Sequence, residues 1–257
     1  MKRIITGAFI ILGCLACRRK GDGMLLRLHY EPGTVIDIKY RNYIITDNEN
    51  AEPLRNEYIR MGLTVDSVTK DSAYALSAKF DYVRWKNGGM MASDQFSSDQ
   101  DEAEMSPAER RINQVVKPVL DSTFKLAFNN RGQLIKPFSY KSGRKIPTTF
   151  SPVDWEVCQI VFPAEKVSIG DEWTNEREIP LVGGKRVSTY YIESIFNSVI
   201  QIKVDGKLII NPQVTKKFSG RYKIDEKTKR LISAKIEMEE NSFLQGSLKA
   251  VVDIQSQ

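Results

Sequence analysis

The chain has 257 residues, with 38 lysines and arginines against 32 aspartates and glutamates, a formal charge of +6 and 41% hydrophobic residues. A chain of this length can bury a core without disulfides. Three cysteines and one histidine offer little for a metal cluster or a disulfide framework. The basic residues are interspersed with acidic ones, with no arginine-rich helix and no basic-aromatic interleaving, so no nucleic-acid partner is expected.

Lys2 and Arg3 open the chain, Ile4 to Ala16 carry no charge, and Arg18, Arg19 and Lys20 close the stretch. This pattern describes a secretory signal. Its apolar run, about 13 residues, falls short of the roughly 20 that a bilayer-crossing helix needs. Ile11-Leu12-Gly13-Cys14 and Cys14-Leu15-Ala16-Cys17 each resemble the bacterial lipobox, in which a small residue precedes a lipidated cysteine. A diacylglyceryl group would anchor the chain at ~0.8 kcal/mol per buried methylene. Cys14 has the better aliphatic residue three positions earlier. Cys17 gives the more usual signal length and abuts the basic cluster, which favours anionic head groups. Cys17 is therefore the preferred acceptor and Cys14 the alternative. Against both stands a cleaved, unlipidated signal, or a pair of buried cysteines in a cytosolic domain. The expected organisation is a signal peptide at 1–16, a membrane-proximal tether at 17–24 and a single β-rich domain at 25–257. The expected location is the envelope of a Gram-negative bacterium, at the outer membrane facing the periplasm.

Most of the domain alternates with period two or runs in β-branched and aromatic stretches. Strands are expected at Leu26–Tyr30, Val35–Ile45, Leu63–Val68, Ala73–Val83 and Phe124–Phe128, resuming at Leu134-Ile135. Turns fall at Thr69–Ser72 and at Asn129-Asn130-Arg131-Gly132, where Asn and Gly suit positive φ. These strands form a first half, 25–140. Within it, 86–111 is glycine-, serine- and acid-rich, and that composition predicts a mobile excursion. Ser106-Pro107-Ala108-Glu109 is a helix start and predicts a short helix through Val116. Ser151-Pro152-Val153-Asp154 predicts a second, to about Ile160. Cys158, between Val157 and Gln159-Ile160-Val161, reads as a small buried hydrophobe. The second half spans 162–254.

The halves echo each other. Thr64–Val68, a turn and Ala73–Leu76 resemble Tyr191–Ile195, a turn and Val199–Ile202. Ser122–Leu126, a turn and Leu134-Ile135 resemble Gly220–Ile224, a turn and Leu231-Ile232. The echo implies two β-meanders that bury their apolar faces together or continue one curved sheet. Strand-turn-strand repetition is also what any antiparallel protein shows.

Candidate chemistry is sparse. His29 stands apart from any Cys or His cluster, so a strand histidine on a polar face is the expected reading. The acids of 99–104, Asp99 and Glu102 among them, lack calcium-loop spacing. Gly183-Gly184-Lys185 reads as a hairpin turn rather than a phosphate loop. No cofactor and no metal are expected. Trp155, Phe162, Trp173, Tyr190, Tyr191, Phe196 and Phe218 crowd the second half. They are candidates to line an apolar-ligand pocket or to fill the core.

Leu26-x-Leu28 with Gly33, then Phe162-Pro163 through Val167-x-Ile169-Gly170-Asp171-x-Trp173, then Gly220-x-Tyr222-x-Ile224-Asp225 resemble a family of Bacteroidetes-type lipoproteins sharing a domain of unknown function (DUF6263-like). The resemblance covers about 25–250 and is most specific from Phe162 to Trp173. It implies export and a β-rich fold, and it transfers no catalytic residue. Independently of the family, Pro163 ends any preceding element, Gly170-Asp171 turns the chain and Trp173 docks on the core, which makes this stretch the crossover between the halves.

The expected fold is mainly β: a large antiparallel, curved sheet or open barrel of roughly ten strands with one or two short helices. The expected function is non-enzymatic: an envelope lipoprotein that binds a protein partner or an apolar ligand, or serves envelope structure. The alternative is an envelope hydrolase with residues scattered over the β scaffold, drawing on His29, Asp99 and Glu102.

Overall fold

The computed structural model describes residues 23–46, 52–87, 95–140, 160–179, 184–211, 214–242 and 246–256. Cys14, Cys17, Trp155, Cys158 and the helix expected from Ser151 to about Ile160 lie outside these residues, Ile160 excepted.

Twelve strands and one helix are present among the described residues. The first half holds β1 (Val35–Thr46), β2 (Arg55–Val68), β3 (Ala73–Asn87), β4 (Gln95–Ser97), α1 (Pro107–Leu120), β5 (Thr123–Asn129) and β6 (Leu134–Tyr140). The second half holds β7 (Glu172–Ile179), β8 (Gly184–Phe196), β9 (Val199–Asn211), β10 (Val214–Asp225), β11 (Leu231–Ser242) and β12 (Gly246–Ser256). All lie in one curved antiparallel sheet that does not close into a barrel. Its order is β6-β5-β3-β2-β1-β12-β11-β10-β9-β8-β7, with β4 beside β3. Each half is thus a meander, and the two join where β1 pairs with β12. Strands β6 and β7, consecutive in sequence, are the two edges.

Alternation explains the core. Ile36, Ile38 and Tyr40 of β1, Met61, Leu63 and Val65 of β2, and Leu126 and Phe128 of β5 are buried on one face. They join Ile192, Ile202, Tyr222 and Ile236 from the second half in a single cluster. Turning one apolar face inward and one polar face to water is the usual economy of antiparallel sheets.

The echo between halves has a geometric counterpart. In β2 the pairing with β3 skips Asp66, between Val65↔Leu76 and Ser67↔Ala75. In β8 the pairing with β9 skips Glu193, between Ile192↔Ile202 and Ser194↔Gln201. Each skipped acid reaches a base two strands away. Asp66 binds Lys125 at 2.8 Å, and Glu193 accepts two bonds from Arg221 at 2.9 and 3.1 Å. The register sets Leu126 opposite Leu76 and Tyr222 opposite Ile202. Leu126 therefore corresponds to Tyr222, whereas the sequence echo aligned Phe124 with Tyr222. A slip of two residues preserves the in-out pattern, so alternation cannot detect it.

Two other expectations are corrected. Leu26–Tyr30 alternates but is not a strand. It crosses the strand ends as a strap, held by a single bridge between Met24 and Val167 and by the Leu28 amide donating to Asn130 O at 2.7 Å. Leu26 and Tyr30 turn inward because they cap the core from its end. Within 86–111, residues 95–111 are not featureless. Phe96, 1% exposed, and Met105, 3% exposed, anchor the segment, and β4 pairs with β3. Two well-buried side chains offset the polar composition that predicted an excursion.

The stretch from Ile160 to Asp171 is the described part of the connection from β6 to β7 that joins the halves. The Phe162 amide donates to Arg131 O at 2.8 Å, and Trp173 Nε1 donates to Val161 O at 2.8 Å. Arg27 donates from its two terminal nitrogens to Pro163 O at 2.7 Å and Ala164 O at 2.6 Å. The crossover and the strap together close one end of the curved sheet, below the β5–β6 and β10–β11 turns.

Candidate functional site

At the closed end the interior is packed. The space beneath Leu28, Tyr30, Leu63, Phe128 and Leu231 amounts to about 60 Å³, room for little more than water. Tyr30 packs edge-on to Tyr74 at 5.4 Å and to Phe128 at 6.2 Å. Burial pushes the Tyr30 phenol up to about 12, against the opposing pull of Arg230.

Toward the other end the inner face of the first half is roofed by α1. The helix begins with a capping box: Ser106 Oγ accepts from the Glu109 amide at 3.2 Å, and Glu109 Oε2 accepts from the Ser106 amide at 2.7 Å. These bonds, led by the Ser106 amide, hold the Glu109 carboxyl below its ordinary range. Ile112, Val116, Val119 and Leu120 recur at helical spacing and pack on the core. Val116 and Val119 are 1% and 0% exposed.

The floor beneath α1 depends on a bulge. Pairing of β2 with β3 passes from Met61↔Phe80 to Arg60↔Tyr82 and skips Asp81. The extra residue lets Phe80 and Val83 both point inward and brings Trp85 to the inner face opposite Glu57. Phe96 of β4 packs against Trp85 with ring centroids 4.8 Å apart. Between α1 and this floor lies a cleft of about 470 Å³, lined by Arg55, Glu57, Trp85, Asn87, Arg111, Ile112, Val115 and Val116. That volume falls in the range of small-molecule sites. Its wall is apolar and its rim carries two guanidinium groups. Arg55 contacts Glu57 at 3.4 Å. Arg111 is exposed.

In the second half, Arg186 sits on the inner face at 4% exposure. It donates to the Tyr222 hydroxyl at 3.3 Å and the Tyr190 hydroxyl at 3.4 Å, and lies 5.0 Å from the Phe218 ring centre. Trp173 stacks on Tyr190 at 5.3 Å.

Of the candidate aromatics among the described residues, Trp173, Tyr190 and Phe218 gather around Arg186, and the others lie apart. Phe162, 0% exposed, belongs to the closed end, and Trp173 joins it through the Val161 carbonyl. Phe218 lies beside Arg186. Tyr191 faces outward under the Lys203 ammonium, and Phe196, at the last position of β8, is 70% exposed. None of those among the described residues lines the cleft. The cleft residues Trp85, Arg111, Ile112 and Val115 border, end or follow the segment 86–111, whose composition predicts a mobile excursion and hides them. The spacing Ile112–Val115–Val116–Val119 was the signal that marked an amphipathic roof.

His29 is exposed, its amide donating to Thr228 O at 3.2 Å. Asp99 and Glu102 lie in the exposed turn before α1. Among the described residues no group of three His, Cys, Asp or Glu is placed to hold a metal ion. No helix among them is long and apolar enough to cross a membrane.

No protein-family model matches the chain, and no curated protein matches it. Among solved structures, one described as showing lipid–protein interactions in lipovitellin is similar, with a TM-score of 0.48 and 10% identity. The match covers 89% of this chain and 25% of that one, so this chain spans about a quarter of its length.

Proposed function

We propose that the chain is a lipid-anchored protein of a Gram-negative envelope whose β domain holds an apolar ligand beneath α1. The observation that carries the ligand reading is the cleft of about 470 Å³ between α1 and the inner face, walled by Trp85, Ile112, Val115 and Val116. An uncovered apolar wall of this kind lowers its free energy by taking an apolar occupant, at about 25 cal/mol for each Å² removed from water. The role is non-enzymatic: Glu57, the acid lining the cleft, is engaged by Arg55. The anchor reading is supported by the uncharged run Ile4–Ala16 and the two overlapping lipobox-like sequences ending at Cys14 and Cys17.

Two measurements test the two parts separately. Mass spectrometry of the mature N-terminus is expected to show a diacylglyceryl group on Cys17; an unmodified N-terminus would remove the anchor. Fluorescence of N-phenylnaphthylamine with the full chain in nanodiscs, corrected for empty nanodiscs, is expected to saturate at one site per chain and to be lost in Val115→Asp. Val115 is 46% exposed, so this substitution leaves the core intact. Undiminished probe binding in that variant would overturn the cleft as the site.

A further inference from the structure

The rim of the cleft carries a charge pattern that narrows what can occupy it. Among the described residues, Arg55 and Arg111 face one carboxylate, Glu57, so those lining groups carry one net positive charge beside an apolar wall. Arg55 is already turned to Glu57. Arg111, on the first turns of α1, makes no hydrogen bond or ion pair among the described residues. It stands one helical turn from Val115 and lines the same cleft as Ile112, so a cation lies beside apolar side chains of the helix. A guanidinium is a planar donor suited to a two-oxygen anion.

We infer that the occupant is a single-chain anionic amphiphile, a long-chain carboxylate, whose head group pairs with Arg111 and whose chain lies along Trp85, Ile112 and Val115. This rests on the ligand reading above. A neutral chain would satisfy the wall and leave the rim charge uncompensated. A cationic amphiphile would meet Arg55 and Arg111 with like charge.

The test uses the full chain in nanodiscs and photoreactive diazirine probes of equal chain length: hexadecanoic acid, hexadecanol and hexadecylamine. Labelled peptides are mapped by mass spectrometry. The acid is expected to label the peptides containing Trp85 and α1 on the order of tenfold more than the alcohol, the scale of one charge-assisted hydrogen bond. Arg111→Gln is expected to remove that preference while alcohol labelling stays unchanged, and Arg111→Glu to turn the preference toward the amine. Because Arg111 is exposed and unbonded among the described residues, these variants fold, and circular dichroism checks that they do. Equal labelling by acid and alcohol in the unaltered chain overturns the head-group inference and leaves the apolar site standing. Labelling by acid that persists in Arg111→Gln assigns the head group elsewhere and overturns it as well. Absence of labelling at α1 by every probe overturns both this inference and the ligand reading it rests on.

Discussion

Replacing Phe96 by alanine tests whether the roof of the cleft is a separately opening unit. Phe96 is 1% exposed and packs on Trp85 at 4.8 Å, on a strand of three residues that among the described residues pairs with β3 alone. Helix α1 meets the sheet chiefly through β3 and β4. Truncating a buried phenylalanine costs about 3–5 kcal/mol, the aromatic pair included. If β4 and α1 open as a unit while the meanders stay folded, most of that loss falls on the opening equilibrium. At 1.36 kcal/mol per factor of ten, the open population rises roughly 10²- to 10³-fold. Hydrogen exchange followed by mass spectrometry should show α1 amides exchanging faster by that factor while β10 and β11 are unchanged. Equal acceleration in α1 and in β10–β11 would refute the reasoning, because Phe96 would then belong to the global core and α1 would not be a distinct roof.

Three further outcomes follow from the fold. The Asp66 carboxyl is held below its ordinary range: burial pushes it up, but hydrogen bonds from Lys125 and Ser77 outweigh burial. Glu193 is held low by Arg221. Both contributions are present above the unfolded carboxylate values and are lost as pH falls through the lower folded ones. Asp66→Asn with Glu193→Gln should therefore flatten the acid limb of a stability curve by up to about 1 kcal/mol per pair, as these sites are partly exposed; an unchanged acid limb would count against both pairs. Gly132 has φ +79°, and a Cβ there would lie 2.5 Å from Ile160 O, so Gly132→Ala should lower the urea midpoint by the equivalent of about 1–3 kcal/mol. Gly132→Asn should do no better if the close approach dominates, and full recovery with Asn would assign the cost to φ alone. Ser106→Ala removes the cap on Glu109 and should cost about 1 kcal/mol, seen as faster exchange in the first turn of α1; an unaltered rate there would show that the cap is not limiting.

The β character was legible because alternation reports which side of a sheet a residue faces, as along Ile36, Ile38 and Tyr40. The turn at Asn129–Gly132 was legible because its residue types match its backbone. Three things were not. The strap at Leu26–Tyr30 alternates like a strand, because capping a core from its end demands the same inward positions. The register between halves was hidden, since a slip of two keeps every residue on its face, and only the bulges at Asp66 and Glu193 fix it. The cleft was missed because composition over 86–111 averages away Phe96 and Met105, two side chains whose burial sets the segment against Trp85. Density of aromatics along the chain does not report a shared face: Tyr190 and Tyr191, adjacent in sequence, lie on opposite faces of β8.

The cleft beneath α1 is tested most directly by the location of the chain it holds. Of three tryptophans, Trp85 lines the cleft. A stearate bearing a nitroxide along its chain, added to the full-length protein in nanodiscs, should quench tryptophan fluorescence saturably, and Trp85→Phe should abolish that saturable component. Saturable quenching of the same depth in Trp85→Phe would place the ligand elsewhere and contradict the account.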